Sequence, residues 1–166
     1  MSTIELSEAM RIRLSHQVME EFASEHLYDH MADEAEHLNL HGMAKFLRAE
    51  AADEHVHARK LADYILSRGS PVRLPSMKGV PQQWESPEKM FMDLADNERH
   101  VTELYHGHME AAMAEKDYAT VAALQWFVTN QVAENQKAAD ILYHFAQIRQ
   151  APFMITAVDG YIGGMK

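Results

Sequence analysis

The sequence predicts an all-α fold: a bundle of four long helices, arranged as two hairpins with one long crossover between them. Three observations predict it. Apolar residues make up 47% of the 166-residue chain, and in four long segments they recur at helical spacing. The seven glycines and five prolines gather mostly between 69 and 87 and after 151, which leaves long uninterrupted stretches and too few turns for a β fold. Two of the three connections are short, and the third is long enough to run the length of a bundle. At this size the chain reads as one domain, 1–166, able to bury a substantial core.

The first helix is expected over 7–36, with Leu14, Val18, Tyr28, Ala32 and Ala35 on one face. After the short "HLNLHG" connection, a second over 41–69 carries Leu47, Ala51, Ala58, Leu61 and Ile65 and stops at Gly69. A short connection makes the two an antiparallel hairpin. Next comes "SPVRLPSMKGVPQQWE", residues 70–85, sixteen residues with three prolines. Extended, it spans roughly 53 Å, more than the roughly 42 Å of a 28-residue helix. It can therefore return the chain to the far end and leave the second and third helices parallel. The third helix opens at "SPEKM", with Ser86 as N-cap, Pro87 at the first helical position and an acid in the first turn. It runs over 86–115 through Leu94, Val101, Tyr105 and Ala112. "EKD" turns the chain into the fourth, 118–149, with Val121, Leu124, Val128, Leu142 and Phe145. The tail, 150–166, is apolar enough to dock and could hold a very short fifth helix around 154–159.

Composition narrows the function classes. The net charge is −10, from 25 acidic and 15 basic residues, and no basic run appears, so nucleic acid is an unsuitable partner while cations are favoured. The absence of cysteine excludes disulfides, thiolate metal sites and iron–sulfur clusters, leaving His, Glu and Asp as strong ligands. No apolar run approaches membrane-spanning length and the N-terminal stretch has no signal-like apolar core. The expectation is a cytoplasmic chain with no membrane partner.

The chemistry shows in polar residues at apolar phases. With Leu47 at zero, the second helix's apolar residues fall within about 40° of the stripe centre and Glu54 about 20° from it. A carboxylate there is costly unless protonated, paired or metal-bound. His57 falls on a flank shared with Phe46 and Tyr64, and His55 on one shared with Arg48 and Arg59. His57 therefore faces inward with Glu54, at i and i+3. The same arithmetic turns Glu50 inward and puts Asp53 at the edge. Glu21, with Glu25 beside it, sits in the first helix's stripe and Glu98 in the third's; Gln131 is near the centre of the fourth and Glu134 on its apolar flank. Acids at mid-height on all four helices would repel in a dry core. A pair of divalent or trivalent cations would neutralise them, and carboxylates with a single imidazole suit iron or manganese better than zinc.

These stretches, "EEFASEHLY", "KFLRAEAADEHVHARKLADY", "DNERHV" and "LQWFVTNQVAENQ", resemble those of the ferritins, in particular the haem-free bacterial ferritins, over about residues 10–150. The resemblance implies the ferritin-like bundle and a ferroxidase centre holding two irons per subunit. Glu21, Glu54 and His57 would hold the first iron, with Glu54 bridging; Glu98 and Glu134 would hold the second. Gln131 would lie beside the oxygen-binding side and Tyr28 would serve electron transfer. The implied activity is oxidation of Fe(II) by oxygen or hydrogen peroxide and storage of ferric mineral in a self-associated shell of about 24 subunits. Glu-x-x-His occurs once, and Gln131-x-x-Glu134 stands where bacterioferritins repeat it, so no haem is expected. Positions that build a third iron site in some relatives read Asp53, Asn130 and Ala133, which implies a weak or absent third site. The rival reading is a non-mineralising di-iron oxidase or rubrerythrin-like peroxidase of small oligomeric state. A redox-inactive metal carrier or purely structural bundle is a second rival, disfavoured by Tyr28 and Gln131 beside the ligands. His37, His41, His106 and His108 read as solvated surface residues.

Overall fold

Three helix ends set the topology. A computed structural model describes residues 5–165; residues 1–4 and Lys166, parts of the N-terminal stretch and tail read above, lie outside it. Among the described residues, α1 spans Glu8–His37, α2 His41–Ser67, α3 Pro87–Ala114 and α4 Tyr118–Ile148. The ends of α1, α2 and α3 share one device: a residue in the left-handed region, Asn39 (φ 58°), Gly69 (φ 68°) and Lys116 (φ 57°). The following amide then reaches back to a free carbonyl, as Leu40 N does to Ala35 O at 2.9 Å and Asp117 N to Ala112 O at 2.9 Å. The starts of α1, α3 and α4 are set by side chains. Ser7, Ser86 and Asp117 accept from the amides of Met10, Lys89 and Thr120, satisfying donors that the first turn leaves free.

The crossover lies along α1. Arg73 N donates to Ser15 Oγ at 3.3 Å, Met77 comes beside Phe22 and His26, and the Trp84 ring meets His30 with centroids 5.5 Å apart. Eleven residues of crossover thus follow fifteen of α1. That path places α3 antiparallel to α1 and parallel to α2, in the four-helix arrangement with one long connection expected above.

The tail forms more structure than its glycines suggest. After a 3-10 turn at Pro152–Met154 comes α5, Ile155–Gly163, nine residues long, longer than the expected 154–159. It survives because it docks. The N-cap position of α2 is Leu40, which has no side-chain acceptor. The acceptor comes from α5: Asp159 takes the amides of Gly42 at 3.1 Å and Met43 at 2.8 Å. A Cβ on Gly42 would lie 2.1 Å from Asp159 O, and one on Gly163 2.7 Å from Gly42 Cα, so both glycines are needed for this approach.

The apolar core is split at mid-height. One cluster packs Tyr28, Met31, Met43, Leu47, Phe91 and Phe145 with Val158 and Ile162 of α5. The other packs Met10, Leu14, Leu61, Ile65, Leu124 and Phe127. Each fully buried side chain of this kind stabilises the fold by about 1.5–3 kcal/mol, and that is the reserve against which the polar layer between them is held. No described helix is long and apolar enough to cross a membrane.

Candidate metal centre

The layer between the clusters contains buried Glu21, Glu50, Glu54, His57, Glu98, Gln131 and Glu134. Each arrives by helical phase: the residue lies on its helix's apolar stripe or on the flank of it, about one turn from buried core neighbours. Glu21, Glu54 and His57 converge, each offering a ligand atom within 4.8 Å of the others. His57 Nδ1 is 3.0 Å from Glu54 Oε2 and 3.9 Å from Glu21 Oε2. Two buried carboxylate donors and one buried imidazole fit a divalent first-row ion such as iron or manganese.

The other two candidate ligands are in the layer but engaged elsewhere. Glu98 accepts from Tyr28 OH on one oxygen and from Gln131 Nε2, at 3.1 Å, on the other. Gln131 is itself fixed, donating also to Thr102 Oγ1 at 3.2 Å, and Asn97 donates to Tyr28 OH at 2.9 Å. Glu134 accepts from Asn130 Nδ2 at 3.2 Å and meets the Lys137 ammonium at 2.6 Å. Tyr28 and Gln131 thus clamp the two oxygens of Glu98 from α1 and α4.

The electrostatics follow from burial. The Glu21 carboxyl is pushed well above the usual range by desolvation, then by repulsion from Glu54. Glu54 is likewise raised by desolvation, then by Glu98, and Glu98 is raised to about 7, chiefly by desolvation. A cation bound among these acids would have to displace their protons, so metal binding here releases protons and strengthens as pH rises.

Other polar partners were not legible as such. Tyr105, a stripe residue by phase, turns its hydroxyl onto Glu21. Gln17 Nε2 donates to Glu21 Oε1 at 2.7 Å. His108 is a correction: it is 4% exposed, and its Nε2 lies 3.0 Å from Gln17 Oε1. Its phase on α3, about 40° from Leu94, was the available signal. His37, His41 and His106 are exposed. His55 is exposed and pairs with Glu25 at 3.1 Å. Among the third-site positions Asp53 and Ala133 face solvent, and Glu50, turned inward by phase, is held by Lys137 at 2.6 Å.

The fold and family follow from comparison with known proteins. The ferritin-like domain family model matches residues 13–148. A bacterial non-heme ferritin of Bacteroides fragilis is 33% identical over 137 residues, covering 82% of this chain and 86% of that one. One from Staphylococcus epidermidis is 33% identical over 129 residues, 78% of each chain. Among solved structures, the open-pore ferritin of the hyperthermophilic archaeon Archaeoglobus fulgidus superposes with a TM-score of 0.93 at 32% identity, covering 98% of this chain and 100% of that one.

Proposed function

The chain belongs to the ferritin family, and from that premise we propose that it is an iron-storage protein that oxidises Fe(II) at a two-iron centre and keeps the product as ferric mineral inside a shell of its own copies. The observation that carries the reading is the convergence of Glu21, Glu54 and His57 in a layer that also buries Glu98 and Glu134.

Iron is the substrate. The first Fe(II) takes Glu21, Glu54 and His57, which already face one another. The second takes Glu98 and Glu134, with Glu54 shared; Glu54 is the carboxylate that feels both Glu21 and Glu98. Each iron gives up one electron, and oxygen or hydrogen peroxide accepts the pair. Carboxylates favour the product because their charge stabilises Fe(III) more than Fe(II). Tyr28 holds one oxygen of Glu98 and lies beside the path of the electrons; Gln131 holds the other oxygen and fixes where the second iron sits. The acidic balance of the chain favours delivery of cations to the centre.

The test is aerobic iron loading of the metal-free protein, reading particle mass and iron per chain in one sedimentation run. A storage shell appears as a particle of roughly 450 kDa, about 24 copies of the 18.9 kDa chain, carrying tens of irons or more per chain. A dimer that stops near two irons per chain would overturn storage and leave a non-mineralising di-iron oxidase.

A further inference from the structure

Lys137 stands where another metal ion would go. It lies on α4, one turn beyond Glu134, and faces Glu50, one turn before Glu54 on the neighbouring α2. Its ammonium is 2.6 and 2.7 Å from the two oxygens of Glu50 and 2.6 Å from Glu134 Oε2. All three of its protons are therefore matched to carboxylate oxygens. The carboxylates are 8% exposed and the lysine 20%, and the ammonium lies over the Phe46 ring, 5.9 Å from its centroid.

Take the ammonium away and the geometry is that of a cation site. Oxygens of Glu50 and Glu134 both lie 2.6 Å from one nitrogen, so they are at most about 5.2 Å apart, a gap that an ion with roughly 2.0–2.6 Å metal–oxygen distances can bridge. Two nearly dry anions beside Glu21, Glu54 and Glu98 would draw in whatever cation is available. We propose that Lys137 is a built-in cation that limits this centre to two metal ions, its ammonium occupying the place that Glu50 and Glu134 would otherwise offer to a third. A tethered monovalent charge satisfies those oxygens and cannot itself leave as cargo. This rests on the two-ion reading of the centre and determines its stoichiometry.

The experiment counts Zn(II) bound to metal-free protein by calorimetry and by metal analysis after filtration, without oxygen or iron. The wild type is expected to bind two tight ions per chain, and Lys137→Met three, the third at least tenfold tighter than surface sites shared with the wild type. Lys137→Arg, which keeps the charge, stays at two. Lys137→Met/Glu50→Gln returns to two because a donor of the new site is gone. Three tight ions in the wild type, or two in Lys137→Met, overturns the exclusion while leaving the two-ion centre standing. Fewer than two in the wild type overturns the centre itself. Should Lys137→Met unfold when metal-free, refolding with excess Zn(II) is expected to recover a helical protein holding three ions, and failure of that rescue also overturns the proposal.

Discussion

His108 shows how one side chain answers to its surroundings more than to its type. Histidine on a helix is usually solvated, yet this one is sealed between α1 and α3, with its ring 6.3 Å from that of Tyr105. Burial, followed by the nearby charges of Arg13 and His16, lowers it from its ordinary value to about 4. A depressed imidazole stabilises the fold fully above the unfolded value, near 6.5, and the stabilisation is lost as pH falls from there through 4. Replacing it by Gln removes that dependence. The stability advantage of the wild type over His108→Gln should shrink by roughly 2 kcal/mol between pH 7 and pH 5, measured by urea denaturation of the metal-free proteins. An advantage unchanged across that interval would mean the imidazole is hydrated. Glu21, Glu54 and His57 were legible from phase because a polar residue inside an apolar stripe is conspicuous. Lys137 was not. Its phase, about 140° from Leu124, points away from the core, and only its long flexible stem brings the ammonium back to Glu50 and Glu134.

At the scale of elements, the helix boundaries are the better understood because their chemistry is local. Ser86-Pro87 and Gly69 are conventional start and stop signals, and Asn39 is the next most tolerant residue for a left-handed end. Lys116 is the exception: a side chain with a Cβ held at φ 57°, exposed to solvent, between α3 and α4. Glycine adopts that conformation without the steric cost. Lys116→Gly should therefore stabilise the protein by about 0.5–1 kcal/mol, seen as a higher denaturation midpoint at unchanged slope. A lower midpoint would mean that the lysine makes a compensating contact. The extent of α5 was illegible for the opposite reason. Its glycines lower intrinsic helix propensity, and what holds it is tertiary: the Asp159 carboxylate on the bare start of α2 and Lys45 Nζ on Gly163 O at 2.9 Å. No local pattern encodes a cap supplied from more than a hundred residues away.

For the whole molecule, the polar layer opposes the two apolar clusters it separates. Without metal, Glu21, Glu54 and Glu98 are raised by burial and by one another, so near neutral pH the fold carries buried acids that the unfolded chain would simply ionise in water. The two clusters bury many large apolar side chains, which lets the bundle tolerate that cost. A divalent ion that binds only the folded chain adds about 2.7 kcal/mol per site at a hundredfold excess over its Kd. Glu54, shared between both proposed sites, tests this balance. Metal-free Glu54→Gln, with one buried acid fewer, should be more stable than the metal-free wild type at pH 7.5 by about 1–3 kcal/mol. Adding Zn(II) should reverse the order, because the wild type gains from both ions while the variant loses the bridging oxygen. Thermal melts with chelator and with metal decide it. If Glu54→Gln is the less stable protein under both conditions, Glu54 is a structural hydrogen-bonding group in a satisfied core. If the order inverts, the fold is weakened at mid-height by the same carboxylates that bind the metal ion.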